Sequence, residues 1–170
     1  MEPVCPCLKA DSCDFAAFDG HFECLRMLHA LGYPWGHTAH NAARNGHLDI
    51  LVWARDRGCP LMADACCAAA TNGHLTILQW LRANGCPWDA RTCTEAARDS
   101  NLEVLTWARE NGCPWSKETA TGAAYNGSLE CFRYAVVNGC PWDPVACARG
   151  ATMSGNAKLR MWIEREAGFG

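Results

Sequence analysis

Cys86-Pro87-Trp88 returns as Cys113-Pro114-Trp115 and again as Cys140-Pro141-Trp142, each 27 residues after the last. Fainter copies stand at Tyr33-Pro34-Trp35, Cys59-Pro60-Leu61 and Cys5-Pro6-Cys7. A fixed period of this size identifies one supersecondary unit copied along the chain, each copy touching only its neighbours. Chemistry at a single enclosed centre matches such an architecture poorly; binding along a repeated surface matches it well.

A second landmark divides each copy. It reads Gly20-His21-Phe22-Glu23, Gly46-His47-Leu48-Asp49, Gly73-His74-Leu75-Thr76, Ser100-Asn101-Leu102-Glu103, Gly127-Ser128-Leu129-Glu130 and Gly155-Asn156-Ala157-Lys158. Six units therefore fill a single domain over 1–170, at about 5–32, 33–58, 59–85, 86–112, 113–139 and 140–170. Before each of the first five landmarks lies an alanine pair: Ala16-Ala17, Ala42-Ala43, Ala69-Ala70, Ala96-Ala97 and Ala123-Ala124. Seven residues ahead of those landmarks stands another small residue, Cys13, Ala39, Cys66, Cys93 or Ala120. This spacing predicts a short helix with one small-residue face, and Ser12, Thr38, Thr92 and Thr119 stand where a hydroxyl cap belongs. Asn45-Gly46, Asn72-Gly73 and Asn126-Gly127 supply a tight turn. A second helix follows, with Leu48, Ile50, Leu51 and Trp53 repeated as Leu75, Ile77, Leu78 and Trp80, then as Leu102, Val104, Leu105 and Trp107. Gly58, Gly85, Gly112 and Gly139 end it, with proline two residues on. The fold class is all-α, a helix-turn-helix solenoid of six short repeats.

The string Ala42-Ala43-Arg44-Asn45-Gly46-His47-Leu48-Asp49-Ile50-Leu51 resembles the centre of an ankyrin repeat, as does Ala69 to Leu75, and the likeness extends over all six units. Two departures stand out. The usual unit has about 33 residues, so roughly six are missing here, from the connector that forms a β-hairpin finger in the family; fingers are expected to be reduced or absent. The usual Thr-Pro-Leu-His is replaced, as by Thr92-Cys93-Thr94-Glu95. The short Gly-Cys-Pro-Trp form is similar to arrays of giant viruses, amoebae, oomycetes and brown algae. Without a finger, the indoles of Trp88, Trp115 and Trp142 are expected to fill the gap between units, with Trp115→Ala costing about 3–5 kcal/mol.

Composition narrows the function. Apolar residues at 49% exclude a disordered tail, and no run of about 18 apolar residues is present to span a membrane. Net charge is −3 with acids and bases interleaved, so a phosphate-tracking stripe is missing and nucleic acid is not the expected partner. The start, Met1-Glu2-Pro3-Val4-Cys5, carries no secretory pattern. The expected location is cytoplasm or nucleus (a host's cytoplasm if the chain is viral), with thirteen cysteines held as small buried thiols. Stacked helices lie about 8–10 Å apart and a disulfide needs Cα atoms within about 7 Å, so equivalent cysteines of adjacent units should not pair.

Motifs for catalysis are missing: no Gly-x-Ser-x-Gly, no His-Glu-x-x-His, no strand-borne phosphate loop. Glu103, Glu110, Glu130 and Glu164 read as solvated helix-surface charge. His21, His47 and His74 recur with the repeat and read as structural. His37 with His40, near Cys59 or Cys66, and Cys5-Pro6-Cys7 with Cys13, are the two candidate metal positions; neither has strong spacing, and no cofactor or metal is expected. The tryptophan ladder raises single-stranded RNA stacking as a remote alternative, against which stand Asp89 and Asp143 beside the rings.

The resemblance implies a partner-binding surface on the two residues before each landmark: Phe18 and Asp19, Arg44 and Asn45, Thr71 and Asn72, Arg98 and Asp99, Tyr125 and Asn126, Met153 and Ser154. These vary in size and charge while their neighbours hold constant. Connector residues Met62, Arg91, Lys117 and Glu118 are second-tier positions. The expected function is a non-enzymatic module binding a protein partner; the alternatives are a structural subunit of a larger particle or virion, or a substrate adaptor for ubiquitin-mediated degradation.

Overall fold

The computed structural model describes residues 13–168. Among them are twelve α-helices and no strand: α1 (Asp14–Phe18), α2 (Phe22–Ala30), α3 (Thr38–Asn45), α4 (Leu48–Arg55), α5 (Ala63–Thr71), α6 (Leu75–Ala83), α7 (Ala90–Arg98), α8 (Leu102–Glu110), α9 (Lys117–Tyr125), α10 (Leu129–Val137), α11 (Pro144–Met153) and α12 (Ala157–Ala167). They alternate first and second helix of each repeat, and the described connectors contain no hairpin finger. The described residues form two compact units: 13–69 with 76–87, and 70–75 with 88–168. In the first, α1 packs on α3; in the second, α7, α9 and α11 pack in succession.

Close approach of the first helices follows from their small faces. All five alanine pairs are fully buried, as are Cys13, Cys66, Cys93 and Ala120. In the sixth repeat Gly150-Ala151 replaces the pair. A Cβ at Gly150 would stand 2.9 Å from the Tyr125 backbone nitrogen, which is why alanine is absent there. The second helices bury a narrower stripe than their sequence suggested. Its members are Ile50, Leu51 and Ala54, then Ile77, Leu78 and Leu81, then Val104, Leu105 and Ala108. Leu48 and Leu75 are only half-buried and Leu102 is exposed. At the position of buried Leu105 and Phe132 the sixth repeat carries exposed Arg160, ion-paired with Glu164 at 3.4 Å.

The second helices α4, α6, α8 and α10 stop on a left-handed glycine with the next residue's amide reaching five residues back: Cys59 to Ala54, Cys86 to Leu81, Cys113 to Ala108 and Cys140 to Ala135, all at 2.9–3.0 Å. This double-bonded stop satisfies carbonyls that would otherwise be orphaned. It also turns the cysteine side chain inward, where Cys86 and Cys113 are fully buried and Cys59 and Cys140 nearly so. Their thiols donate to a carbonyl of the preceding connector, Cys86 to Met62 at 3.2 Å, Cys113 to Asp89 at 3.4 Å and Cys140 to Ser116 at 3.2 Å. Burial pushes the Cys59 and Cys140 thiols up to about 11.

Three expectations need correction. The slot behind each connector is taken by this cysteine, so the tryptophans are half-buried rather than interior. Their rings lie edge-on against a second-helix aromatic of the same repeat, Trp35 on Trp53 and Trp88 on Trp107 at 5.9 Å and Trp115 on Tyr134 at 6.3 Å. The helix caps fall earlier than the threonines. Asp89 accepts from the Arg91 amide, Asp143 from those of Val145 and Ala146, and Ser116 forms a capping box with Thr119. Thr38, Thr92 and Thr119 are instead fully buried inside the first turn, and Ser12 lies outside the described residues. Finally, the thiols are not all reduced: Cys24 is disulfide-bonded. Cys5 and Cys7 lie outside the described residues.

Candidate functional site

The turn between the two helices of a repeat decides which side chains are left for a partner. Its landmark glycine has positive φ in five repeats, and Ser100 takes φ 63° in the fourth. The residue after the landmark reaches back one repeat. Asn101 donates to the carbonyls of Ala70 at 2.9 Å and Thr71 at 2.8 Å, Asn156 to Gly127 at 2.7 Å, and His47 Nε2 sits 3.2 Å from the Phe18 carbonyl. The recurrent histidine is thus a staple in the repeat where its contact is seen, in keeping with its structural reading. Space for the staple is a second reason for glycine. A Cβ on Gly20 would meet His47 at 2.5 Å, and one on Gly73 would meet Asn101 at 2.9 Å.

Of the twelve expected partner-facing residues, nine are exposed and Asn45, Thr71 and Ser154 are half-buried. Several side chains are already committed to the fold. Asn126 donates to the Arg98 carbonyl, Ser154 to Ala124 at 3.3 Å and Ala151 at 3.1 Å, and Asn45 to Asn41 at 3.1 Å. Arg44, Thr71 and Asn72 also have partners. Phe18, Tyr125 and Met153 present large apolar surface, 45%, 40% and 69% exposed, and Asp19 and Asp99 are exposed with them.

Two of these residues converge. Arg98 at the end of α7 and Tyr125 at the end of α9 line a groove of about 360 Å³ with Lys117, Glu118, Thr121, Gly122, Asp143 and Ala146. Thr119 and Gly122 look from α9 toward α7, where the Thr94 and Thr119 hydroxyls meet at 3.1 Å; Thr121 and Tyr125 look toward α11. Gly122 leaves bare backbone as the floor, and a methyl there would make only ordinary contacts with Thr94 and Arg98. Sequence reading missed Thr121, Gly122, Asp143 and Ala146; a glycine inside an otherwise alanine-rich helix was the available signal. Phe18, Asp19 and Arg44 belong to the first unit and do not contribute. Of the other second-tier residues, Arg91 is tied to Asp89 at 2.8 Å, and Met62 is 61% exposed in the first unit.

Charge in the groove is balanced but unevenly engaged. Arg98 pairs with Glu95 at 3.1 Å, and Asp143 Oδ1 accepts from the Val145 and Ala146 amides at 2.9 and 3.2 Å. The Ser116 hydroxyl holds the Glu118 carboxyl below its usual range, helped by neighbouring Lys117. Lys117 makes no ion pair and the Tyr125 phenol no hydrogen bond among the described residues, which leaves one ammonium and one hydroxyl to offer. The groove holds neither thiol nor imidazole, and its chemistry is recognition by hydrogen bonds, charge and one aromatic face.

Among the described residues no group of three or more His, Cys, Asp or Glu is placed to hold a metal. His40 faces Asp64 rather than a cysteine, with Nδ1 3.3 Å from its carbonyl and 3.8 Å from its carboxylate, and the His37 ring lies 6.5 Å away. Cys13 is buried and points its thiol at the Tyr33 carbonyl, 3.8 Å away. No described helix is long and apolar enough to cross a membrane.

Residues 13–55 match the family model for ankyrin repeats in many copies. No curated protein matches the chain. Among solved structures, the crystal structure of the human ASB11 ankyrin repeat domain is similar, with a TM-score of 0.69 at 15% identity over 90% of this chain and 82% of that one. Helix-turn-helix repeats, left-handed turn glycines and small-residue faces, taken with that superposition, give this chain the fold of an ankyrin-repeat domain.

Proposed function

We propose that the chain is a single-domain, non-enzymatic protein–protein interaction module whose partner docks on the first-helix side of the second unit, over the groove of Arg98, Lys117 and Tyr125. The observation that carries the reading is the meeting of two positions that differ between otherwise constant repeats, Arg98 and Tyr125, in one groove. A uniform scaffold with copy-specific residues on one side is how a repeat array builds a distinct recognition surface. Protein binding is also what the family resemblance implies. The cytoplasm or nucleus suits the ten described cysteines that carry thiols. Tyrosine and arginine at the centre of the site are the residue types that dominate interface energetics.

The test is affinity capture from extract of the source cells with three full-length baits: wild type, Tyr125→Ala and Lys117→Glu. A protein enriched at least about tenfold on wild type and lost on both variants, whose helical content and melting are unchanged, supports the reading; tenfold corresponds to about 1.4 kcal/mol. Equal retention by all three baits moves the partner off this groove.

A further inference from the structure

The small residue of a first helix and the cysteine that begins the next connector face each other, and two repeats carry cysteine at both places: Cys66 with Cys86, and Cys93 with Cys113. All four side chains are fully buried. The connector sulfur of each pair lies against the carbonyl four residues before the first-helix cysteine, and its nearness raises the Cys66 and Cys93 thiols above their usual range. The connector thiol hands its own proton on, to the Met62 carbonyl at 3.2 Å in the first unit and the Asp89 carbonyl at 3.4 Å in the second. Elsewhere the array is incomplete, because Ala39 stands opposite Cys59 and Ala120 opposite Cys140.

We propose that Cys66–Cys86 and Cys93–Cys113 are two oxidative modification sites, each closing into an intramolecular disulfide under a small thiol-specific oxidant. In each closure two S–H bonds break and one S–S bond forms. Two protons and two electrons pass to the oxidant, which for an azodicarboxamide becomes the hydrazine. Closure of either bond requires the two Cα atoms to come within about 7 Å of one another. In the first unit the Cys66 S–H and the Arg82 charge bias Cys86 toward thiolate, the attacking species in thiol chemistry. Burial makes local opening of the repeat the gate to the oxidant. The Cys93–Cys113 bond would tie α7 to the connector leading into α9, the two helices that carry Arg98, Lys117 and Tyr125.

The experiment treats the folded full-length chain with the azo oxidant diamide, alkylates what remains, and maps peptides by mass spectrometry before and after dithiothreitol. Expected are linked peptides joining 66 to 86 and 93 to 113, each with loss of two alkylatable thiols that reductant restores. Cys66→Ala and Cys93→Ala copy what Ala39 and Ala120 already do at those positions, so both variants should fold, and each should lose its own link while keeping the other. The proposal is overturned if the folded chain keeps all four thiols under diamide while the guanidinium-unfolded chain loses them. It is also overturned if the native links join other cysteines, or if either alanine variant leaves the link pattern unchanged.

Discussion

Changing Gly73 to alanine separates the two reasons for a landmark glycine, with Gly85→Ala as its control. Both glycines have left-handed φ, +72° and +76°, but a Cβ on Gly85 meets nothing within 4 Å whereas one on Gly73 meets the Asn101 amide oxygen at 2.9 Å. Left-handed backbone costs an L-residue about 1–2 kcal/mol, and alanine recovers about 0.4–1 kcal/mol through a less mobile unfolded chain. Gly85→Ala should therefore cost about 0–1.6 kcal/mol. Gly73→Ala carries the same backbone cost and in addition pushes the Asn101 amide off the Ala70 and Thr71 carbonyls. Leaving such carbonyls unsatisfied costs about 1–3 kcal/mol, for a total of about 1–4.6 kcal/mol and an excess of about 1–3 kcal/mol over Gly85→Ala. Urea unfolding of the full-length chain by circular dichroism and tryptophan fluorescence reads both. In an Asn101→Ala background the excess should vanish, because the obstructing side chain is gone and its bonds are already lost. Equal costs for the two glycine variants in the wild-type background, within about 0.5 kcal/mol, would refute the staple.

Ser100 is the one described non-glycine residue with positive φ, so Ser100→Gly should stabilise by about 0.5–1 kcal/mol, seen as a higher urea midpoint. Trp115→Ala should cost about 2–3 kcal/mol rather than the 3–5 of a buried ring, and a double-mutant cycle with Tyr134 should return a coupling of about 0.5–1.5 kcal/mol. Arg109, stacked 4.3 Å above the Trp115 ring, should show a smaller coupling of about 0.5–1 kcal/mol in the same assay. The Arg91 guanidinium holds the Asp89 carboxyl below its usual range. A carboxylate depressed on folding stabilises above its unfolded pKa, about 3.9, and loses that contribution as pH falls through the folded value. Asp89→Asn should thus cost up to about 1 kcal/mol at neutral pH, little of it electrostatic at so exposed a site, and almost nothing near pH 2. Denaturation of both proteins at the two pH values checks it.

Elements governed by backbone chemistry were legible residue by residue. Gly58, Gly85, Gly112 and Gly139 end helices because a left-handed residue is needed there, and the alanine pairs are buried because nothing larger fits between first helices. What sequence could not resolve was competition for the same space. The connector slot had two claimants in every Cys-Pro-Trp, and the helix-stop geometry turns the cysteine in and leaves the indole partly exposed. Thr92 and Thr119 lie a turn past the true caps, because Asp89 and Ser116 also qualify and only the backbone trace decides between them. The groove was half legible. Arg98, Tyr125, Lys117 and Glu118 follow from their place in the repeat, while Asn126 and Ser154 share that place but spend their polar atoms on the neighbouring repeat's carbonyls. Equal sequence position did not mean equal availability.

Four side-chain amides among the described residues bridge neighbouring repeats in the same direction. Asn41, Asn101, Asn126 and Asn156 each donate to a carbonyl of the repeat before it, that of Asp14, Ala70 with Thr71, Arg98 or Gly127. A nascent chain leaving the ribosome would therefore present each new repeat with its acceptors already in place and its donors on board. Such polarity favours stepwise assembly from the amino end during synthesis.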